Sequence, residues 1–567
     1  MSFEVWAPRA DRVEVVVGGE RHGLHRAKER GWFRGGPEVA AGTDYAFRLD
    51  GGPERPDPRS RHQPAGVHGP SRVVHVDAPT TEPVPIDLAT AVIEEIHVGS
   101  FSAEGTFDGA IEHLDHLVDL GVTAVELMPV HAFPGDHGWG YDGVDLWAVH
   151  EPYGGPAGLR RFVDAAHRRG LAVILDVVHN HLGPDGNHLA EFGPYFTDRF
   201  STPWGDAVNL DAGGSDEVRE FLVGSALAWI TEHGVDGLRL DAVHALLDTS
   251  AVHLLEELAI RVGELDRPAV LIAESDLNDP RLVRRREHGG YGLDAQWSDD
   301  FHHALHVALT GERTAYYGDF TGLADVATAL QQGFVYDGRY SAHRDRRHGR
   351  PLGEVSGHRL LGYAQNHDQI GNRARGDRLV HQSGDRLARV AAVITLTSPL
   401  VPMLFQGEEW AASTPFPYFT DHQDPALAAA VRLGRRQEWA AFGWDPDEIA
   451  DPQDPATFAS AKLRWDELTA EPHAGMLDLH RRLLALRRSN ADLRDGRLDR
   501  VAASADEDAG TLVVERGDVA VVANCSSEPA TVDAHGGRDL LLVTDDDITT
   551  AGGRVTMPPA SAAVLGR

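Results

Sequence analysis

The stretch DGLRLDAVH, residues 236–244, sets Arg239 and Asp241 two positions apart among Leu238, Leu240 and Ala242. In an extended strand alternate side chains share a face, so both charges project to one side and both leucines to the other. A parallel strand covered on both faces is almost wholly apolar. An arginine and an aspartate together on such a strand therefore mark either a structural ion pair or a strand that ends in a functional site.

Working outward, seven further runs have the same texture: VIEEIHV (92–98), TAVELMPV (123–130), AVILDVV (172–178), AVLIAES (269–275), YGLDAQW (291–297), RLLGYAQNHD (359–368) and LVPMLFQGEE (400–409). Amphipathic stretches such as AIEHLDHLVDLG and LRRFVDAAHRRG lie between them and end in glycine, as helix C-caps do. Strand and helix in alternation imply parallel βαβ units, and eight such strands are the number of an α/β TIM barrel, (β/α)8. The Gly-, Pro- and Asn-rich stretch at about 181–215 is too long for an ordinary connection and is expected to be a functional excursion after the third strand.

Short alternating runs (FEVWAP, RVEVVVG, DYAFRLD) before this region, and strand-and-turn texture from about 497 onward, predict flanking β-sandwich domains. The expected division is 1–88, 89–490 for the catalytic barrel, and 491–567. The 567 residues suit several domains.

A formal charge of -34, with Lys28 and Lys462 as the two lysines, argues against nucleic acid, whose phosphates need a basic stripe. The single cysteine, Cys525, excludes an internal disulfide and a cysteine metal cluster. With no basic leader and apolar segment at the start, and with Arg389, Pro399 and Pro402 interrupting the most apolar run, the expectation is a cytoplasmic protein with no membrane span.

In a barrel of this kind the site forms at the C-terminal ends of the strands. Four ends are loaded: Asp176, His179, Asn180 and His181 on the third; Arg239, Asp241 and His244 on the fourth; Glu274 and Asp276 on the fifth; Asn366, His367 and Asp368 on the seventh. One such end fits an isolated ion pair, whereas four in agreement point to a shared site. Carboxylates with histidines suit chemistry on a sugar, where one carboxylate attacks, one shuttles a proton and others hold hydroxyls.

DVVHNH, GLRLDAVH, AES and NHD, in this order, resemble the four signature regions of the α-amylase family of glycoside hydrolases. The resemblance implies that Asp241 is the nucleophile, Glu274 the acid/base and Asp368 the transition-state stabiliser. It implies that Arg239 orients Asp241, that His181 and His367 hydrogen-bond the sugar, and that Tyr141 stacks on it; Asp176 is expected to organise rather than react. Further stretches, including EEIHVGSF (94–101), AESDLNDPRLV (273–283), QWSDDFHHALH (296–306), FQGEEWAASTPFPYFTDH (405–422) and RRQEWAAFGW (435–444), resemble the maltooligosyltrehalose trehalohydrolase branch. That likeness extends the expected substrate-binding set to Leu240, Ala242, Val243, His244, Asp299, Asp300, Phe301, His302, His303, Gln369, Ile370, Gly371 and Asn372. His244-Ala245 stand where amylases commonly carry Lys-His, so the leaving-group side is expected to differ. Trp139, Trp204 and Trp297 are possible sugar platforms, with core packing as the competing role for each.

The implied partners are maltooligosyltrehalose and related α-glucans, and the protein is expected to be a monomer or homodimer with no cofactor and no catalytic metal. A structural cation near Asn180 stays open. The alternatives are a glucan branching or debranching enzyme of the same clan, a metal-dependent barrel hydrolase using HNH, and a non-catalytic glucan-binding protein.

Overall fold

The computed structural model describes residues 3–75, 79–441, 444, 448–534 and 537–567. All eight predicted strands close into one parallel barrel. We number them β1 (Ile93–Ile96), β2 (Ala124–Leu127), β3 (Ala172–Val177), β4 (Gly237–Leu240), β5 (Val270–Ala273), β6 (Ala295–Trp297), β7 (Leu360–Gly362) and β8 (Val401–Phe405). The register runs unbroken round the ring, for instance Asp176 opposite Arg239 and Arg239 opposite Ile272.

Two apolar layers follow from the alternation. Ile93, Ala124, Ile174, Ile272, Trp297 and Met403 fill the interior, while Val125, Leu175, Leu238 and Leu240 pack outward into the larger core under the helices. Those helices include Gly155–His167 after β2, Ser215–Ala228 after β3, Leu254–Gly263 after β4, Asp299–Thr310 after β6, Asp385–Leu396 after β7 and His473–Ser489 after β8. Gly121 closes the helix Leu114–Leu120 in the left-handed region, φ 105°, as its sequence position predicts.

The barrel departs from the regular plan at one connection. Between β5 and β6 there is no α-helix, only a 3-10 turn at Arg286–His288. Pro280, Gly289 and Gly290 break the helical pattern there, and Leu282, Val283 and Leu293 are buried in the core in its place.

The excursion after β3 holds a short helix, Leu189–Phe192, and a hairpin, Phe196–Thr202 with Gly205–Val208. It is braced by the N-terminal domain: Arg55 bonds Glu191 at 2.9 Å and Trp6 packs edge-on against Tyr195. Two further excursions were not anticipated. One follows β6 and ends in the hairpin Asp337–Ser341 with Arg346–Gly349; the other follows β8 and contains the helix Pro425–Ala441.

The N-terminal strands form one hydrogen-bonded path rather than two separate sheets. Strand Glu20–Arg26 pairs with Val13–Val17 through its first half and with Trp32–Gly35 through its second, so it passes from one layer to the other. The C-terminal part is a sandwich of a five-stranded and a three-stranded antiparallel sheet. Among the described residues no helix is long and apolar enough to cross a membrane.

Candidate active site

Arg239 is the centre around which the loaded strand ends gather. It is 1% exposed, and its Nη1 donates to Asp176 Oδ2 at 2.6 Å and to Asp241 Oδ1 at 2.9 Å, while Nη2 lies 3.3 Å from Glu274 Oε2. Its guanidinium lies 4.1 Å from the ring centre of Trp297, a cation–π contact inside the barrel. One planar fork therefore organises carboxylates from three adjacent strand ends. Such bonds favour the charged form of an acid, against the opposing effect of burial.

Each carboxylate has further partners. Asn180 Nδ2 donates to both the carbonyl oxygen and Oδ2 of Asp241, at 2.8 and 2.7 Å. Asn180 Oδ1 faces His181 Nδ1. Tyr141 donates its hydroxyl to Asp176 Oδ2 at 2.6 Å, and burial beside Asp241 lifts Asp176 to about 7 despite Arg239. The backbone N–H of Ala242 donates to Glu274 Oε2 at 2.6 Å. Ala242 reaches this position at φ 39°, a left-handed conformation rare for a residue with a Cβ. Burial, then the neighbouring Asp241 and Asp368, raise the pKa of Glu274, with Arg239 opposing. A carboxyl so placed is suited to carry a proton near neutrality.

His181 hydrogen-bonds Asn180 and the carbonyl of Tyr141, and the ring of Trp204 stacks on it at 4.4 Å and 5°. Trp204, at the tip of the excursion hairpin, is 48% exposed. Trp139 is buried against Phe416 and Trp297 lies inside the barrel, so of the three candidate tryptophans Trp204 alone presents a free face. His367 is buried against Tyr141 and binds both oxygens of Glu95 on β1; Glu95 raises its pKa against the opposing effect of burial. Asp368 is bonded by Asn372 and borders a cleft of about 190 Å³ whose other walls include Tyr316, Tyr317, Gln369 and Trp444. Asp299 accepts from Tyr363 at 2.5 Å, and burial near Glu274 lifts it to about 7. His244 is exposed on the turn after β4.

Several residues of the expected binding set point elsewhere. Leu240 and Val243 pack in the main core, and Ala242 directs its backbone N–H to Glu274. Asp300 is buried and holds Asn278 and the backbone N–H groups of Val335 and Tyr336 at 2.6–2.7 Å, so it anchors the second excursion. Phe301 is fully buried, His302 is fixed between the Ala364 carbonyl and Tyr317, and His303 is buried among Tyr316, Tyr317 and Phe320. On Asp299–Thr310 the first residue lies near Glu274 and Asp368, and the turn that follows it is buried all round, between the core and the second excursion. Ile370 sits with Phe405 and Phe416, and a Cβ on Gly371 would overlap the ring of Trp139. Phe442 and Gly443 of RRQEWAAFGW lie outside the described residues. Glu95, Tyr363 and the Trp204–His181 stack were missed; the doubled glutamate in VIEEIHV, a strand otherwise apolar, was the available signal for Glu95.

Residues 71–195 match the alpha amylase catalytic domain. Across nearly the whole length, the chain is 51% identical to the malto-oligosyltrehalose trehalohydrolase of Arthrobacter ramosus, covering 94% of each chain, and 48% identical to that of Rhizobium sp. (strain M-11), covering 99% of this chain and 97% of the other. It also superposes on the crystal structure of a Salmonella typhimurium protein assigned as an alpha amylase, with a TM-score of 0.90 and 36% identity over 100% of this chain and 97% of that one. With a closed barrel, four loaded strand ends around one arginine, and relatives that match from end to end, the chain belongs to the malto-oligosyltrehalose trehalohydrolase family of the alpha-amylase type.

Proposed function

We propose that this chain hydrolyses the α-1,4-glucosidic bond beside the terminal trehalosyl unit of maltooligosyltrehalose, with retention of configuration, releasing trehalose and a maltooligosaccharide. The observation that carries this reading is the single buried guanidinium holding Asp241 and Glu274 side by side at the ends of adjacent strands. Retention needs two carboxyl groups about 5–5.5 Å apart, a spacing that two groups on one arginine fork favour. Asp241, aimed by Arg239 and Asn180, attacks the anomeric carbon as the bond to the leaving sugar breaks. Glu274 gives its proton to the departing oxygen. It then takes a proton from the water that opens the glycosyl-enzyme ester and frees Asp241. Asp368, at the mouth of the adjoining cleft, holds sugar hydroxyls together with His181 and His367. The exposed face of Trp204 offers a pyranose platform. Each step uses side chains alone, so the reading invokes no cofactor.

Assigning 1–88 and 491–567 as flanking domains of a catalytic unit 89–490 belongs to the same proposal, as does a cytoplasmic location. The test compares maltooligosyltrehalose with a plain maltooligosaccharide of similar length and assays free trehalose. Rapid trehalose release from the first, slow cleavage of the second, and loss of both in Asp241→Asn and Glu274→Gln are expected. Equal cleavage of both substrates would overturn the substrate assignment, and ordinary activity in either variant would overturn the catalytic one.

A further inference from the structure

Glu126 is a carboxyl of the barrel interior to which this mechanism gives no role. Glu126 lies on β2, opposite Glu95 of β1 and Ile174 of β3. Its neighbours Val125 and Leu127 pack outward under the helices and Ala124 faces inward, so Glu126 also points into the barrel. It is 1% exposed, and neither of its oxygens has a hydrogen-bond partner. The charged groups that act on it are Glu95, Arg239 and Asp176.

Three other buried polar atoms of the same centre are also unpartnered: Arg239 Nε, Asp176 Oδ1 and Trp297 Nε1. Two are N–H donors and one is an acceptor. Buried polar groups left unpaired are costly, and native interiors join such groups through ordered water. We propose that Glu126 is a positioning residue of the active centre, joined through buried water to Arg239 Nε, and so fixes the guanidinium that aims Asp241 and Glu274. The inference rests on the catalytic reading of those two residues given above.

The charge balance dictates how Glu126 serves. Arg239 already faces Asp176, Asp241 and Glu274. A further anion below it would compete for the same positive charge. Burial, with Glu95 and Asp176 adding to it against Arg239, favours the neutral acid. In that state one oxygen accepts, the other donates, and the arginine stays committed to the substrate side.

The test uses the full chain with Glu126→Gln and Glu126→Leu beside Asp241→Asn. The amide offers the same donor and acceptor without charge, so Glu126→Gln should keep kcat within about threefold and leave the pH profile in place. The leucine orphans Arg239 Nε and should lower kcat about 10- to 100-fold with KM nearly unchanged. Infrared spectra of the wild type at pH 8 should retain a protonated-carboxyl C=O band that Glu126→Gln lacks; should the leucine variant not fold, this band and the Gln variant decide the matter. Equal impairment of Gln and Leu variants, an unimpaired Leu variant, or absence of the band would overturn the proposal. Full activity in Asp241→Asn would instead overturn the catalytic reading beneath it.

Discussion

Replacing Arg239 with methionine removes the group on which the site is organised while keeping a side chain of similar length. At an effective dielectric of about 20, separations of 2.6, 2.9 and 3.3 Å correspond to Coulomb attractions of about 6, 6 and 5 kcal/mol for Asp176, Asp241 and Glu274. Most of that sum offsets the cost of burying the charges, and breaking one buried ion pair typically destabilises by about 3–5 kcal/mol. A loss of that size at pH 8 is therefore expected. It must also depend on pH. Burial already lifts Asp176 to about 7 and raises Glu274 with Arg239 in place; without the arginine both rise further, so the folded variant keeps protons at a pH where the folded wild type has released them. Its stability deficit relative to wild type should be nearly constant below about pH 7 and should grow above it, where Asp176 of the wild type ionises, by about 1.4 kcal/mol per unit until the variant's own folded pKa is passed. Trehalose release should fall roughly 1000-fold or more, because Asp241 and Glu274 then lose the group that aims them. Arg239→Lys restores a charge without the fork and should recover stability more than rate. Thermal melts of the three proteins from pH 4.5 to 8.5, with kcat measured alongside, settle the point. A methionine variant that keeps activity within tenfold, or whose deficit does not change with pH, would refute the reasoning.

Trp204→Ala should raise KM or lower kcat/KM by up to about tenfold through loss of an exposed stacking face, with little change in melting temperature, since the ring is half exposed. Glu408, which burial lifts to about 8 from an ordinary 4.5, makes the folded state bind a proton that the unfolded state has lost; stability should fall with rising pH across that window, and Glu408→Gln should flatten the slope of melting temperature against pH. Gly371→Ala should destabilise by about 1–3 kcal/mol in denaturant titrations, because the added Cβ meets the buried Trp139 ring.

The barrel was legible because its eight strands are short apolar runs punctuated by glycine, and the reacting carboxylates because charges are conspicuous at the ends of such strands. Contacts made across the chain were not legible. Asp300 reads like Asp299, yet one bonds Tyr363 near Glu274 and the other holds Val335 and Tyr336. The missing helix between β5 and β6 hid behind an Arg-rich stretch whose composition tolerates a helix but whose Pro280 and paired glycines do not. A run matched to a family motif includes every residue of the run, so buried Leu240 and Phe301 were carried in beside residues that face the cleft. Burial is decided by the packing of distant segments, which a local pattern does not contain.

The cost of this arrangement explains why the charges stand where they do. Arg239 is among the largest fully buried side chains of the described residues, Asp176 bonds it, and Glu126 feels its charge, each acid 1% exposed. An apolar set of similar volume would serve stability as well or better. The surrounding layers absorb the expense: Trp297 beneath the guanidinium, Asn180 and the Ala242 N–H on the carboxylates, and Glu95 on His367. Each of these partners leaves the mouth of the barrel open while restricting the carboxylates to one geometry. A centre built for stability alone would close that mouth with leucine; this one keeps a single cation among many acids, so the proton on Glu274 is held where a departing sugar oxygen can take it.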